Sequence, residues 1–343
     1  MNVAITTPAR FEPVDDFPLM EAAPDCPYRN ETFNLWGYDQ TEQLGLNVHL
    51  VAGGGDLSSY QATVILYAGE TILAGQFRGG VLPDGVAAGN VFARNVEPFK
   101  RWKYDFLGLL HRTDPKSSAQ TPFADMPTEM AAFDLDVEMR SPAVEQGTQG
   151  DDGVQAASGT IPRTARRYEQ LCRIAGTVRL GSRRVTLNAL GMRVHRRNSA
   201  GIFDSGVVGH SWITGLFPSG RGFHICIYQK EPAAAVGFCH AFYFDGVRHH
   251  EAKVLRFPYY SGLTEPETYE LELAAAGETF RIRGLPVAPY MKGFPSPAMK
   301  DVLFSRAPGR FMLDSEVGGG VLERSLRADF FASGRFEAPG TGV

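Results

Sequence analysis

Hydrophobic and polar positions along this chain alternate with a period of two, broken at short intervals by glycine-bearing turns, and helical periodicity is scarce. Phe133-Asp134-Leu135-Asp136-Val137-Glu138-Met139 alternates throughout, so a strand here carries its apolar side chains on one face and three carboxylates on the other. The run from Tyr60 to Tyr67 is β-branched and aromatic, which predicts a strand covered on both faces. Gly181-Ser182, Ser219-Gly220, Asp245-Gly246 and Gly277-Glu278 each stand between two such runs, where glycine supplies the backbone freedom a hairpin needs. Strand, turn, strand in this rhythm predicts antiparallel barrels or sandwiches and disfavours folds that need crossover helices.

The length of 343 residues adds a second core to that picture. A polar stretch from Ser141 to Thr164 contains nothing that can build a core and reads as a linker. The expected organisation is therefore a first β domain over residues 1–140, a linker or loop over 141–164, a second β domain over 165–333 and a frayed tail over 334–343. Hydrophobic residues at 43% and charged residues at 21% are ordinary for a globular protein, and a net charge of −4 argues against a nucleic-acid partner. No signal peptide or membrane-length apolar stretch is readable, and four scattered cysteines suit reduced thiols, so the expected location is cytoplasmic.

Familiar catalytic and cofactor motifs fail on inspection. Gly209-His210-Ser211-Trp212-Ile213 lacks the last glycine of a nucleophile elbow and the helix that follows one, and Gly53-Gly54-Gly55 lacks the lysine of a phosphate loop. His240, His249, His250 and Glu251 offer metal-ligand chemistry, yet adjacent histidines on a strand point to opposite faces, so no metal is expected. The arginine-rich stretch from Arg163 to Arg197 fits a solvated or pairing face better than an anion site, although it leaves open a third reading as an interaction module. What remains is aromatic residues beside isolated polar ones. In the first half these are Trp36, Tyr38, Trp102 and Tyr104, with Phe33 and Leu35 on one face of their strand and Thr32, Asn34 and Trp36 on the other. In the second, Arg193, His195, Asp204, His210 and Trp212 gather within about twenty residues.

Several short strings here resemble the AttH-like superfamily, which includes the carotenoid 1,2-hydratases and is related to lipocalin-like Diels-Alderases. They are Tyr168-Glu169-Gln170, Gly176-Thr177-Val178, Gly191-x-Arg193-x-His195, Tyr243-Phe244-Asp245-Gly246, Gly318-Gly319-Gly320 and, near the start, Asn30-Glu31-Thr32-Phe33. The resemblance implies an all-β chain of two tandem lipocalin-like, or calycin, barrels or strongly curved sandwiches packed together, an apolar small-molecule ligand and no cofactor. The superfamily's Asp-His-Ser-Trp-Gly block corresponds to Val194-His195-Arg196-Arg197-Asn198 in one placement and to Gly209-His210-Ser211-Trp212 in another, and neither keeps the aspartate.

The expected function is a cofactor-independent enzyme that hydrates, isomerises or cyclises a polycyclic, terpenoid, steroid-like or aromatic molecule. Glu169, His195, Asp204 and His210 are the expected acid–base residues. Trp36, Tyr38, Trp102, Tyr104, Arg193 and Trp212 are the expected substrate contacts. The alternative is a carrier for an apolar metabolite that performs no chemistry.

Overall fold

The computed structural model describes residues 11–19, 30–53, 56–119, 125–145, 167–198, 207–230, 235–257, 268–293 and 302–327. Apart from two single turns of 3-10 helix, Pro13–Asp16 and Ser117–Ala119, every regular element among them is a strand, and every strand pairing is antiparallel. No helix among them is long and apolar enough to cross a membrane. The strands form two sheets in two compact units, one lipocalin-like barrel in each, so that the chain carries two in tandem.

Unit 1 contains β1 (Asn30–Asp39), β2 (Leu44–Gly53), β3 (Asp56–Ala68), β4 (Thr71–Leu82), β5 (Gly85–Ala88), β6 (Val91–Glu97), β7 (Arg101–Thr113), β8 (Thr128–Met139), β9 (Val144–Glu145), β10 (Arg167–Leu180) and β11 (Arg183–Asn198). β4 pairs with β7 and β11 pairs with both β10 and β1, so β1-β2-β3-β4-β7-β8-β10-β11 is a closed ring of eight strands. Closure leaves no edge within the ring, and a ring of this size has an interior that side chains can fill. Phe33, Leu35, Val48, Val64, Tyr104, Leu135 and Ile174 are among the residues that fill it. The alternation predicted over Phe133–Met139 is realised: Phe133, Leu135, Val137 and Met139 are buried, while Asp134, Asp136 and Glu138 are exposed.

The boundary expected at 141–164 divides the chain differently from the structure. β10 and β11 follow it in sequence but complete the first ring, and the described residues of unit 2 are 114–119 and those from 207 onward. The reason is register: β8 needs a partner on its free side and finds β10, from Cys172↔Met139 to Leu180↔Ala131. Residues 146–164 of the expected linker, and the whole expected tail, lie outside the described residues.

Unit 2 contains β12 (Val207–Leu216), β13 (Gly222–Lys230), β14 (Ala235–Phe244), β15 (His249–Glu251), β16 (Lys253–Arg256), β17 (Tyr269–Ala275), β18 (Glu278–Pro286), β19 (Tyr290–Gly293), β20 (Val302–Leu313) and β21 (Glu316–Arg327). Their order is β15-β14-β13-β12-β21-β20-β18-β17-β16, with β19 on β20. The two ends, β15 and β16, are separated in the chain only by Ala252, whose N–H donates to the Ala241 carbonyl at 3.0 Å, so this sheet is also curled end to end. Ile213, Phe223, Ile225, Ile227, Leu271 and Phe311 form its core. The four expected hairpin turns join β10 to β11, β12 to β13, β14 to β15 and β17 to β18.

Both units bring two strands together on facing glycines. Gly191 opposes Gly37, and a Cβ on Gly191 would stand 1.8 Å from the Trp36 carbonyl oxygen. Gly320 opposes Gly215, and there the same atom would stand 1.9 Å from the Thr214 carbonyl oxygen.

Candidate functional site

Period-two geometry places every second residue of β11 inside the first ring, which brings Arg193, His195 and Arg197 to the interior. The ladder sets Phe33 beside His195 and His195 beside Tyr168, then Leu35 beside Arg193 and Arg193 beside Gln170. Trp102 and Tyr104 of β7, Tyr60 of β3 and Glu31 of β1 are buried on the same side. This end of the ring is covered by residues 11–19, whose Phe11 packs with Phe99 and Tyr168.

Two carboxylates with no solvent exposure organise the site. Asp16 accepts hydrogen bonds from Asn95 Nδ2 at 2.9 Å, the Phe99 amide at 2.7 Å, Trp102 Nε1 at 2.9 Å, Arg193 Nη2 at 2.5 Å and the Tyr168 hydroxyl. Glu31 accepts from the Leu19 amide at 2.9 Å, Tyr60 Oη at 2.6 Å and Arg197 Nε at 2.8 Å, and its Oε1 lies 2.7 Å from His195 Nε2. Between the two, Tyr168 Oη is 2.9 Å from His195 Nδ1. The Arg193 guanidinium also lies over the Trp102 ring, 4.4 Å from its centre.

Burial alone would raise the carboxyl of Asp16, but Arg193 and the donors around it hold it below the usual carboxylate range. Glu31, against the same burial, is held down to about 2 by His195, Arg197 and Tyr60. Burial pushes His195 down to about 4, against the pull of Glu31, and it pushes Tyr168 well up, with Asp16 adding to the rise. At neutral pH both carboxylates are therefore ionised and the imidazole is neutral.

That state leaves the line Asp16–Tyr168–His195–Glu31 one proton short. It has three contacts at hydrogen-bond distance and two protons to fill them, one on the phenol and one on the imidazole. With the imidazole proton on Nε2 toward Glu31, the Tyr168 hydroxyl has one proton and two acceptors, Asp16 Oδ1 and His195 Nδ1. A third proton would complete the line by making an imidazolium that donates at both ends. Tyr168 and His195 also line a small cavity with Phe11, Asp15 and Arg197.

Of the expected residues, Trp102, Tyr104, Arg193 and His195 are brought together here. Trp36 and Tyr38 are buried on the opposite face of β1, where Asn47 Nδ2 donates to Asn34 Oδ1 at 2.8 Å. Glu169 is on the opposite face of β10 from Tyr168, and Arg167 Nη2 stands 2.8 Å from its Oε1. His210 and Trp212 belong to unit 2: the His210 ring stacks on Tyr228, and Trp212 Nε1 donates to His224 Nδ1 at 3.0 Å. Because an indole N–H only donates, His224 Nδ1 is the acceptor, and the Thr214 hydroxyl lies 2.7 Å from the same atom. Asp204 lies outside the described residues.

Asp16, Glu31, Tyr60, Tyr168 and Arg197 were not among the expected site residues. Glu31 carries a readable signal, since it sits two residues before Phe33 and so on the apolar face of its strand. Asp16 carries none, because its partners lie 79 to 177 residues away.

A family model described as "Domain of unknown function (DUF7064)" matches residues 12–328 of the chain. Among solved structures, the chain is similar to a protein from Nitrosomonas europaea described as AttH, at 13% identity and a TM-score of 0.53, with 90% of this chain and 99% of that one covered. It is similar to CghA in complex with Sch210972, at 11% identity and a TM-score of 0.52, covering 88% and 89%. It is also similar to kievitone hydratase from Nectria haematococca, at 12% identity and a TM-score of 0.50, covering 91% and 93%. At these identities the likeness is one of fold. No curated protein matches the chain.

Proposed function

The chain belongs to this DUF7064 family, and on that premise we propose that it is a cofactor-independent enzyme that moves a proton on an apolar small molecule, by hydration, isomerisation or cyclisation. The observation that carries the reading is the Tyr168 hydroxyl, with one proton and two acceptors, at the edge of a cavity. A proton arriving at Tyr168 Oη displaces the phenol's own proton to His195 Nδ1, and the charge rests on an imidazolium beside Glu31. Because burial holds His195 down to about 4, that loaded form is a stronger acid than a free imidazolium, which suits protonation of an alkene or enol. Return of the proton by the same path restores the resting line, so no cofactor has to supply or take electrons.

The test is turnover in D2O of polyprenyl, steroid-like and phenolic alkenes, with products read by mass spectrometry. Carbon-bound deuterium is expected in the product. Tyr168→Phe and His195→Gln, checked for folding by circular dichroism, should each lower the rate by about 10²- to 10⁴-fold. The rate should rise as pH falls from 7 toward 4, following the loaded fraction. Unlabelled recovery of every compound would leave carriage of an apolar metabolite as the better reading, and full activity in both variants would remove the relay from the chemistry.

A further inference from the structure

The segment Phe11–Leu19 lies over one end of the unit 1 ring as a strap: it joins no strand ladder, and its one regular element is the 3-10 turn Pro13–Asp16. Phe11 and Asp15 of the strap form one side of the small cavity, and Tyr168, His195 and Arg197 form the other. With its mouth included the cavity has about 190 Å³ of free space, short of the roughly 300 Å³ at which small-molecule sites begin. Tyr168, His195 and Arg197 are fixed in the ladders of β10 and β11, so the side that can give way is the strap.

The strap presents a phenyl ring and a carboxylate to the same residue. Phe11 packs edge-on against the Tyr168 ring at 5.0 Å, and Asp16 accepts from the Tyr168 hydroxyl. The donors around Asp16 all belong to later strands and turns of unit 1, namely Asn95, the Phe99 amide, Trp102, Tyr168 and Arg193. Phe99 holds a left-handed φ of 60°, its N–H turned to Asp16 and its carbonyl accepting from Gln170 Nε2 at 2.9 Å, a conformation a bulky side chain keeps only when its surroundings impose it. Asp16 engages only Nη2 of the Arg193 edge that carries Nε and Nη2; Nε is buried and has no hydrogen-bond partner among the described residues. A carboxylate free of the strap can take both nitrogens as a fork. A neutral molecule cannot replace Asp16, because it would leave a buried guanidinium without a counter-charge.

We propose that an aryl-bearing carboxylate exchanges with the strap. The strap lifts, the ligand's carboxylate takes the donors of Asp16, and its ring takes the place of Phe11 against Phe99 and Tyr168. One carboxylate leaves as another enters, so the charge around Arg193 is conserved, and Glu31 stays with Arg197 and His195. This narrows the substrate class of the site proposed above and rests on that reading.

Amide hydrogen exchange of the full chain with phenylpropionate and with phenylpropanol tests it. The acid should speed exchange of the Phe17 and Leu19 amides, which bond to Val14 and Glu31, at least tenfold while Phe99 stays protected. The alcohol should change none of them. Asp16→Asn, which removes the competing charge, should bind the acid at least tenfold more tightly than the unaltered chain by calorimetry. Should that variant fail to fold, Phe11→Ala should tighten the acid at least threefold. Unchanged strap exchange with the acid, an equal effect of the alcohol, loss of Phe99 protection, or acid binding no tighter in the variant would overturn the proposal. Exchange needs no turnover: a lifted strap without deuterium in any product removes the relay alone, and turnover under an unmoved strap removes the exchange alone.

Discussion

The two units solve the same problem, polar groups buried in a closed or curled sheet, with different arrangements. Unit 1 places charge inside its ring: Asp16 and Glu31 collect five and four donors, and Arg193 and Arg197 return their charge. Unit 2 keeps a mostly apolar core and, on the face away from it, buries the Arg306–Glu323 ion pair beside neutral hydrogen-bonded groups such as Trp212, Thr214 and His224. Taking an ion out of water costs several kcal/mol, whereas a neutral indole–imidazole pair costs far less. The consequence is that losing a partner of Asp16 or Glu31 costs unit 1 more than losing one from the Trp212–His224–Thr214 group costs unit 2.

The sharpest way to break this comparison is Asp16→Ala, which strands a buried guanidinium. Unit 1 should lose about 3–5 kcal/mol, read in urea by the fluorescence of Trp36 and Trp102, while the Trp212 signal of unit 2 keeps its midpoint. The pair Asp16→Asn with Arg193→Met should recover more than half of the loss, since removing both charges removes the stranded one.

Acid gives the next effect. The folded-state value of His195, about 4, lies below its ordinary 6.5, so the unfolded chain takes up the proton first as pH falls. The stability that His195 confers is complete above pH 6.5 and is lost on the way down to pH 4. Between pH 7 and pH 5 the loss should be about 2 kcal/mol. His249 in unit 2, pushed to about 3 by burial, gives that unit a slope of the same sign. His195→Gln should therefore flatten the pH dependence of unit 1 alone, and a flattening in both would mean that the units do not unfold separately.

Smaller effects test where the units agree. Gly191→Ala and Gly320→Ala both drive a Cβ into a carbonyl oxygen of the neighbouring strand, and each should cost its own unit about 1–3 kcal/mol in urea titration. Thr214→Val, which removes a hydroxyl from beside His224, should cost about 1 kcal/mol, visible as faster amide exchange on β12 and β13.

Local pattern carried most of the fold. Each strand flanking Gly181-Ser182, Ser219-Gly220, Asp245-Gly246 and Gly277-Glu278 was readable because a hairpin is decided within a dozen residues. The allocation of β10 and β11 was not, because the ladder that joins β1 to β11 pairs Asn30 with Asn198 and nothing in either strand encodes so distant a neighbour. The same distance divides the site. Arg193, His195, Trp102 and Tyr104 stood out as polar or aromatic groups on alternating strands, whereas Asp16 lies in a short polar segment with no periodicity. Its role follows from donors 79 to 177 residues later, Arg193 the most distant of them.

The closure of the first ring through β11 also imposes an order of events on synthesis. With β1 to β8 already made, the sheet still has two unpaired flanks, those of β1 and β8, until the chain has been extended past residue 198. Long-range pairing of this kind is slow to form and leaves sticky strand flanks exposed in the meantime. A fragment ending at residue 146 should accordingly aggregate on refolding, and one ending at residue 200 should remain monodisperse by light scattering. The nascent chain would carry this unfinished barrel from Met139 to Asn198, about a sixth of its length.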